Sequence, residues 1–181
     1  MSAPSPLDPL STPDAHGRKD VSNTTNGDAH TDQPLAGTLI GENFHTWPDE
    51  VRQEFVDNEF NGQVGSRLLS ESDRVRVWEI RLQPGQRVAA HRHVLDYFWT
   101  AINPGSSKQH TADGTTREVT YLPGQTRHFH FAEGEYLLHD LENVGDTELV
   151  FSTVEFLDSA NPPLPLDLIR TAAGRDDCSR T

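Results

Sequence analysis

The sequence predicts an all-β domain, a sandwich or barrel of eight or nine short strands. Turn signals recur at short intervals, as at 84–85 (Pro-Gly), 112–114 (Ala-Asp-Gly) and 123–124 (Pro-Gly). Segments between such turns, of which 74–82 is an example, alternate between polar and apolar residues, which is the period of a half-buried strand. Helical spacing of apolar residues is confined to a short stretch near 48–57. These three observations favour an all-β architecture over a helical or an alternating one.

The individual elements follow from the same patterns. A short helix is predicted over 48–57, because Thr46 is placed to cap it and Pro48 with two acidic residues begins it. Trp47 and Phe55 are predicted to pack on the apolar face of this helix. The turn at 132–135 predicts that the strands before and after it pair as a hairpin. The predicted strands cover 64–70, 74–82, 86–93, 96–102, 107–111, 115–122, 126–131, 136–141 and 148–157.

One domain is predicted over 38–170, between two polar tails. The 181 residues suffice for a single domain with a substantial core. Residues 1–37 are rich in Ser, Thr, Pro, Asp, Asn and Gly and contain few large apolar residues, which predicts a disordered tail that includes His16 and His30. Residues 171–181 are predicted to form a loose C-terminal tail.

Composition excludes several classes of protein. A formal net charge of −13 argues against nucleic acid or anionic membranes as partners, because both require clustered Lys and Arg. Cys178 is the one cysteine, so neither a disulfide scaffold nor a Cys-based zinc site is expected. We find no signal-peptide pattern and no apolar run near 18 residues. We therefore expect a cytoplasmic protein without membrane or nucleic-acid partners.

Two histidines on one predicted strand are the first candidate site. His91 and His93 are two apart, so alternation places both imidazoles on the same face, about 7 Å apart. Two imidazoles so placed are suited to bind a divalent metal. The competing interpretation is that two surface histidines happen to lie two residues apart, since the chain has nine histidines.

Two motifs resemble those of a known family. Gly85, followed after five residues by 91–93 (His-Arg-His), matches the first motif of the cupin superfamily. His139, three residues, Asn143 and a turn at Gly145 match the closing part of the second motif. The chain thus resembles a cupin over most of its ordered length, and the resemblance implies a jelly roll, or double-stranded β-helix barrel. It also implies a metal site with His91, His93 and His139 as ligands.

A second histidine competes for the third ligand position. His128 follows a Pro-Gly at 123–124 with the spacing of the second motif, but Ala132 stands where the family has its Asn. His139 is therefore the preferred third ligand and His128 the alternative.

The first motif departs from the family at its glutamate. Tyr97 occupies that position, and Asp96 precedes it. Since neighbours on a strand face opposite sides, both side chains cannot point at one metal without a bulge. The resemblance implies either a three-histidine site or three histidines with Asp96, and both residues are candidate catalytic groups.

Other candidates lie outside these motifs. Arg76 and Arg127 would clamp a substrate carboxylate if they turn inward. His130 would line the mouth of a pocket or support a ligand, or else be exposed with its neighbours. His110 and His45 are predicted to be surface residues.

The resemblance implies a metal-dependent cupin enzyme. Three neutral imidazoles leave two or three open positions on a divalent ion, for which Fe(II) is favoured and Ni, Mn, Cu or Zn are alternatives. The predicted function is a non-heme Fe(II)-type dioxygenase acting on a small organic acid or keto compound. A non-oxidative isomerase or lyase and a binding cupin without catalysis remain open. The phrase at 91–97 resembles small cupins assigned to β-alanine degradation, and homodimerisation, common in cupins, is expected.

Overall fold

The structure, a computed structural model, describes residues 35–166. The predicted disordered tail up to position 34 and the predicted loose tail 171–181 lie outside the described residues, as does Cys178. Within the described part the chain forms ten strands and one α-helix. Their bounds are β1 Thr38–Gly41, α1 Asp49–Asp57, β2 Arg67–Glu71, β3 Val75–Leu82, β4 Arg87–His93, β5 Tyr97–Ala101, β6 Gly105–Thr111, β7 Thr115–Tyr121, β8 Thr126–Phe129, β9 Leu137–Asn143 and β10 Leu149–Phe156.

The strands form two five-stranded antiparallel sheets. The first sheet has the order β1-β7-β6-β9-β4 and the second the order β2-β3-β10-β5-β8. Strands that follow one another in sequence therefore often lie in different sheets, which is the winding of a jelly roll. The predicted all-β jelly roll is confirmed. Only β1 among these strands was not predicted, because Thr38–Gly41 is a short, mostly exposed edge segment without an alternating pattern.

The hairpin predicted around the turn at 132–135 is wrong. β8 pairs with β5 in the second sheet, whereas β9 pairs with β4 and β6 in the first sheet. A turn signal reports only that the chain reverses, and in a jelly roll the next strand crosses to the other sheet. As a result, β9 lies beside β4, the strand that carries His91 and His93.

Helix α1 begins at Asp49, one residue later than predicted, and ends at Asp57, but Thr46 does not cap it. Pro48 is the N-cap residue and no side chain bonds the first turn. The Thr46 hydroxyl instead lies 2.8 Å from that of Thr116, tying this segment to β7. Trp47 and Phe55 are buried with their rings 4.6 Å apart, so their predicted packing role is confirmed.

The apolar core lies between the two sheets. Its members come from both sheets and include Ile80, Leu82, Val119, Leu141 and Phe151. Four of these five, all except Leu82, also line a cavity that opens between the sheets. The core thus forms the floor of the cavity in which the candidate site is found.

Candidate metal centre

A β-bulge in β4 orients the two motif histidines. Val88 pairs with Leu141, and His91 pairs with His139. Between these two pairs, β4 has two residues and β9 has only one. The extra residue reverses the alternation, because Val88 packs into the core while His91, three residues later, also faces the interior. Normal alternation then resumes, and His93 joins His91 in the cavity.

Three imidazoles converge at this point. His139 of β9 lies directly opposite His91, with the ring centroids 4.6 Å apart. The ring of His93 lies 5.0 Å from that of His91 and 5.2 Å from that of His139. One nitrogen from each ring can be chosen so that all three lie within 4.8 Å of one another, which is close enough to share one ion. The predicted grouping of His91, His93 and His139 is therefore present.

The protonation state of the rings fits a metal. Nδ1 of His91 lies 2.8 Å from the carbonyl oxygen of Ala89, and Nδ1 of His139 lies 3.3 Å from Oε1 of Gln109. Because these oxygens only accept hydrogen bonds, each Nδ1 carries a proton, and Nε2 is the nitrogen that each ring would present to a metal. Burial lowers the pKa of His91 and, with repulsion from the other two imidazoles, lowers that of His93 well below its usual value. Neutral imidazoles of this kind are metal ligands.

Gln109 contacts His139 and is itself held by neighbouring hydroxyl groups. In addition to accepting from His139, its Nε2 donates to the Tyr121 hydroxyl at 2.8 Å and lies 3.2 Å from Ser107 Oγ. A partner of this type fixes the orientation and tautomer of a ligand. Our sequence interpretation missed Gln109. The only available signal was alternation in β6, which places it on the face opposite His110.

Asp96 and Tyr97 face different sides, as neighbours on a strand should. Tyr97 is buried in the cavity, and its ring stacks on that of His93 with centroids 4.1 Å apart. Asp96 accepts hydrogen bonds from the backbone N–H of Phe131 at 2.9 Å and pairs with His130 Nδ1 at 3.1 Å. The structure thus places Asp96 against the loop after β8 and not among the three histidines.

The other histidines within residues 35–166 lie elsewhere. His128 is exposed, and its ring packs beside Phe98 at 5.2 Å, so the structure does not bring it to the other three. His130 is exposed beside Asp96, and His45 is exposed as predicted. The prediction that His110 is a surface residue is wrong, because helix α1 and Trp47 cover this face of the sheet.

The two candidate arginines differ in position. Arg76 bonds Glu71 through Nε at 3.0 Å and does not line the cavity. Arg127 lines it, with its guanidinium 5.1 Å from the ring of Phe129. Of the two, Arg127 is placed to meet a molecule in the cavity.

The cavity itself is small and largely apolar. Its volume is about 50 Å³, which suits a few waters or a small ligand. Arg127 is the only Lys, Arg, Asp or Glu among the described residues that line it. The described lining residues other than the histidines and Arg127 are Leu35, Ala36, Ile80, Tyr97, Trp99, Gln109, Val119, Tyr121, Phe129, Leu137, Leu141, Phe151 and Thr153.

A buried acid lies on the same inner face of β10 as Thr153. Glu155 is 3% exposed and accepts a hydrogen bond from Trp78 Nε1 at 2.8 Å. Burial raises its pKa from 4.5 to about 7, although the Trp78 hydrogen bond and the charge of Arg76 act in the opposite direction, while Glu71 adds to the rise. Between pH 4.5 and about pH 7, the Glu155 carboxyl therefore keeps its proton in the folded state and loses it in the unfolded state.

Glu155→Gln is expected to make stability less dependent on pH. The wild-type protein loses stability from this group as pH rises from 4.5 to about 7, because the unfolded carboxyl ionises first. The variant keeps an acceptor for Trp78 without the charge. The free energy of unfolding of the variant minus that of wild type should therefore increase by about 2 kcal/mol from pH 5 to pH 8. Urea unfolding at both values measures this, and a difference independent of pH would contradict it.

Comparison with known proteins gives structural neighbours only. No protein-family model and no curated protein matches the chain. A cupin domain from Bordetella pertussis Tohama I is 28% identical, over 50% of this chain and 88% of that one, with a TM-score of 0.45. An uncharacterized conserved protein with a double-stranded β-helix domain from Klebsiella pneumoniae is 20% identical, over 57% and 88%, with a TM-score of 0.42. A sugar phosphate isomerase of a cupin superfamily from Silicibacter pomeroyi is 21% identical, over 46% and 51%, with a TM-score of 0.36.

The fold and the motif residues agree with one another. Asn143 closes the turn after β9, donating to the carbonyls of Leu82 and Thr147 at 2.9 and 2.8 Å and accepting from Gly145 N–H at 2.9 Å. This is the turn that the second motif implies, and it follows His139 on the strand opposite the first motif. Helix α1, the one described helix, is too short and too polar to cross a membrane. The chain therefore has the jelly-roll fold and the motif residues that its resemblance to the cupin superfamily implies.

Proposed function

We propose that this protein is a metal-dependent cupin enzyme, a non-heme Fe(II)-type dioxygenase acting on a small organic acid or keto compound. The observation that carries the proposal is the convergence of His91, His93 and His139, of which the first two are buried and all three line a cavity. A divalent ion held there would supply Lewis acidity and, if it is iron, a redox centre. Ni, Mn, Cu and Zn are the alternative ions for such an all-nitrogen donor set.

The cavity residues support an anionic substrate of small size. Arg127 lines the cavity and provides a planar donor fork of the kind that binds a carboxylate. The rings of Tyr97 and Phe129, stacked at 4.7 Å, form an apolar wall that excludes bulk water. Arg127 would bind and orient the acid while these rings keep the site dry.

The same lining favours oxidation over proton abstraction. An isomerase or lyase needs a base near the substrate, and no carboxylate is found among the described lining residues. Tyr121 lines the cavity, but burial raises the pKa of its hydroxyl to about 12, so it keeps its proton. The assignment of related cupins to β-alanine degradation, a cytoplasmic location and a homodimer all remain predictions.

Oxygen uptake by the Fe(II)-loaded protein tests this function. We expect uptake with small keto acids and lower uptake with their methyl esters, because an ester lacks the charge that Arg127 would bind. His93→Ala is the matched control and should show no uptake above background. If an acid binds without oxygen uptake but is isomerised or cleaved, the non-oxidative alternative is correct. If it binds unchanged, the protein is a binding cupin.

A further inference from the structure

We propose that Glu54 of helix α1 is a positioning residue for the metal ligand His91, acting through the bulge in β4. The inference rests on the proposed metal site and deepens it, because it identifies what holds one ligand in place from outside the barrel. Glu54 does not line the cavity.

The bulge leaves one residue without partners in the ladder. Ala89 and Ala90 together lie opposite Asp140, between the pairs Val88–Leu141 and His91–His139. An extra residue of this kind is unpaired in the sheet, and its polar groups must be satisfied elsewhere.

The helical segment supplies both of the missing partners. The N–H of Ala90 donates to Glu54 Oε1 at 2.7 Å, and its carbonyl accepts from Asn61 Nδ2 at 3.0 Å. The methyl group of Ala90 packs beneath Trp47 and Phe55. Ala90 is thus held by α1 and the segment that follows it, not by β9.

A bidentate ion pair fixes the Glu54 carboxylate in this position. Its two oxygens accept from the two terminal nitrogens of Arg87, each at 2.8 Å. Arg87 also bonds Asp140, which is next to His139 on β9. The carboxylate that holds the bulge is therefore tied to both strands that carry the three histidines.

The bulge determines which way His91 faces and which nitrogen it presents. Without the extra residue, alternation would turn His91 and His93 to the outer face, because Val88 is already inside. The bulge also places the Ala89 carbonyl 2.8 Å from His91 Nδ1, which leaves Nε2 for a metal. Loss of the Glu54 contact would loosen both features.

Two conservative substitutions separate this role from general stabilisation. Glu54→Gln keeps an acceptor oxygen at the same reach, so Ala90 stays bonded although the ion pair with Arg87 is lost. Glu54→Asp keeps the charge but withdraws the carboxylate by one methylene, so Ala90 N–H loses its acceptor. Gln53→Ala, on the exposed side of the same helix, is the matched control.

Metal titration provides the first readout. Titration of folded protein with Ni(II), and with Fe(II) under anaerobic conditions, should give wild-type affinity for Gln53→Ala and a value within about threefold of it for Glu54→Gln. Glu54→Asp should raise the dissociation constant about 10- to 100-fold. Wild-type affinity for Glu54→Asp, or equal losses for Asp and Gln, would overturn the proposal.

Metal-free protein provides a second readout that does not depend on the proposed function. Hydrogen exchange at the Ala90 amide should be faster in Glu54→Asp than in wild type, and ¹⁵N shifts of His91 should show loss of the pure Nδ1–H tautomer. Unchanged exchange and an unchanged tautomer would overturn the inference. If wild type binds neither metal, the metal-site proposal fails while these two measurements still decide the role of Glu54.

Discussion

His93→Ala is expected to reduce bound divalent metal from one ion per chain to background. The ring of His93 lies 5.0 and 5.2 Å from those of His91 and His139, so its removal leaves two imidazoles and no other Asp, Glu, Cys or His of the described residues in the ligand group. Two neutral nitrogen donors do not retain a divalent ion through purification against a chelating buffer. Elemental analysis of protein reconstituted with Fe(II) or Ni(II) measures the effect.

The same measurement decides between the two histidines that the sequence left open. His139→Ala should lose metal as completely as His93→Ala, because His139 is paired with His91 across β4 and β9. His128→Ala should keep full occupancy, since its ring lies beside Phe98 on the exposed side of β5 and β8. Full occupancy in His139→Ala, or its loss in His128→Ala, would show that the ligand set is wrong.

Local patterns predicted most strands but not their partners. Alternation along 74–82 predicted β3 to within one residue. A strand that is buried on one side has apolar residues at every second position, and this pattern can be seen in the sequence. The turn at 132–135 was equally clear, yet it joins β8 and β9, which lie in different sheets. Pairing depends on contacts between distant segments, and turn residues carry no information about them.

The errors at the site have the same origin. His110 was predicted to be exposed because β6 reads as a polar edge strand, but helix α1, some fifty residues earlier in sequence, covers this face. The bulge at Ala89 and Ala90 was not predicted, because two alanines carry no bulge signal of their own. The contact of the Ala90 N–H with Glu54 joins β4 to a distant helix, and local periodicity cannot predict such a contact. By contrast, the cupin resemblance placed His139 beside His91 and His93, as the structure does. A family motif can do this because it reflects contacts between distant segments of a fold.

Asp140→Ala is expected to be the most destabilising substitution outside the core. Asp140 is fully buried and accepts from the backbone N–H of His110 at 2.6 Å, from His110 Nδ1 at 2.7 Å and from Arg87 Nε at 2.7 Å. Burial alone would raise its pKa, but the hydrogen bonds from His110 and the charge of Arg87 outweigh burial and lower it. Removal of the carboxylate leaves a partly buried guanidinium and a buried N–H without this partner, which costs about 3 to 5 kcal/mol of unfolding free energy.

Urea unfolding at neutral pH measures this loss, with Asp146→Ala, at an exposed aspartate in the turn after β9, as the matched control. The control should stay within about 0.5 kcal/mol of wild type. Because the folded pKa of Asp140 is depressed, its contribution is present above the unfolded pKa and is lost as pH falls through the folded value. The difference in unfolding free energy between wild type and Asp140→Ala should therefore become smaller at acid pH. A gap that is small at neutral pH, or constant down to low pH, would mean that Arg87 and His110 find other partners and that Asp140 does not hold β4, β6 and β9 together.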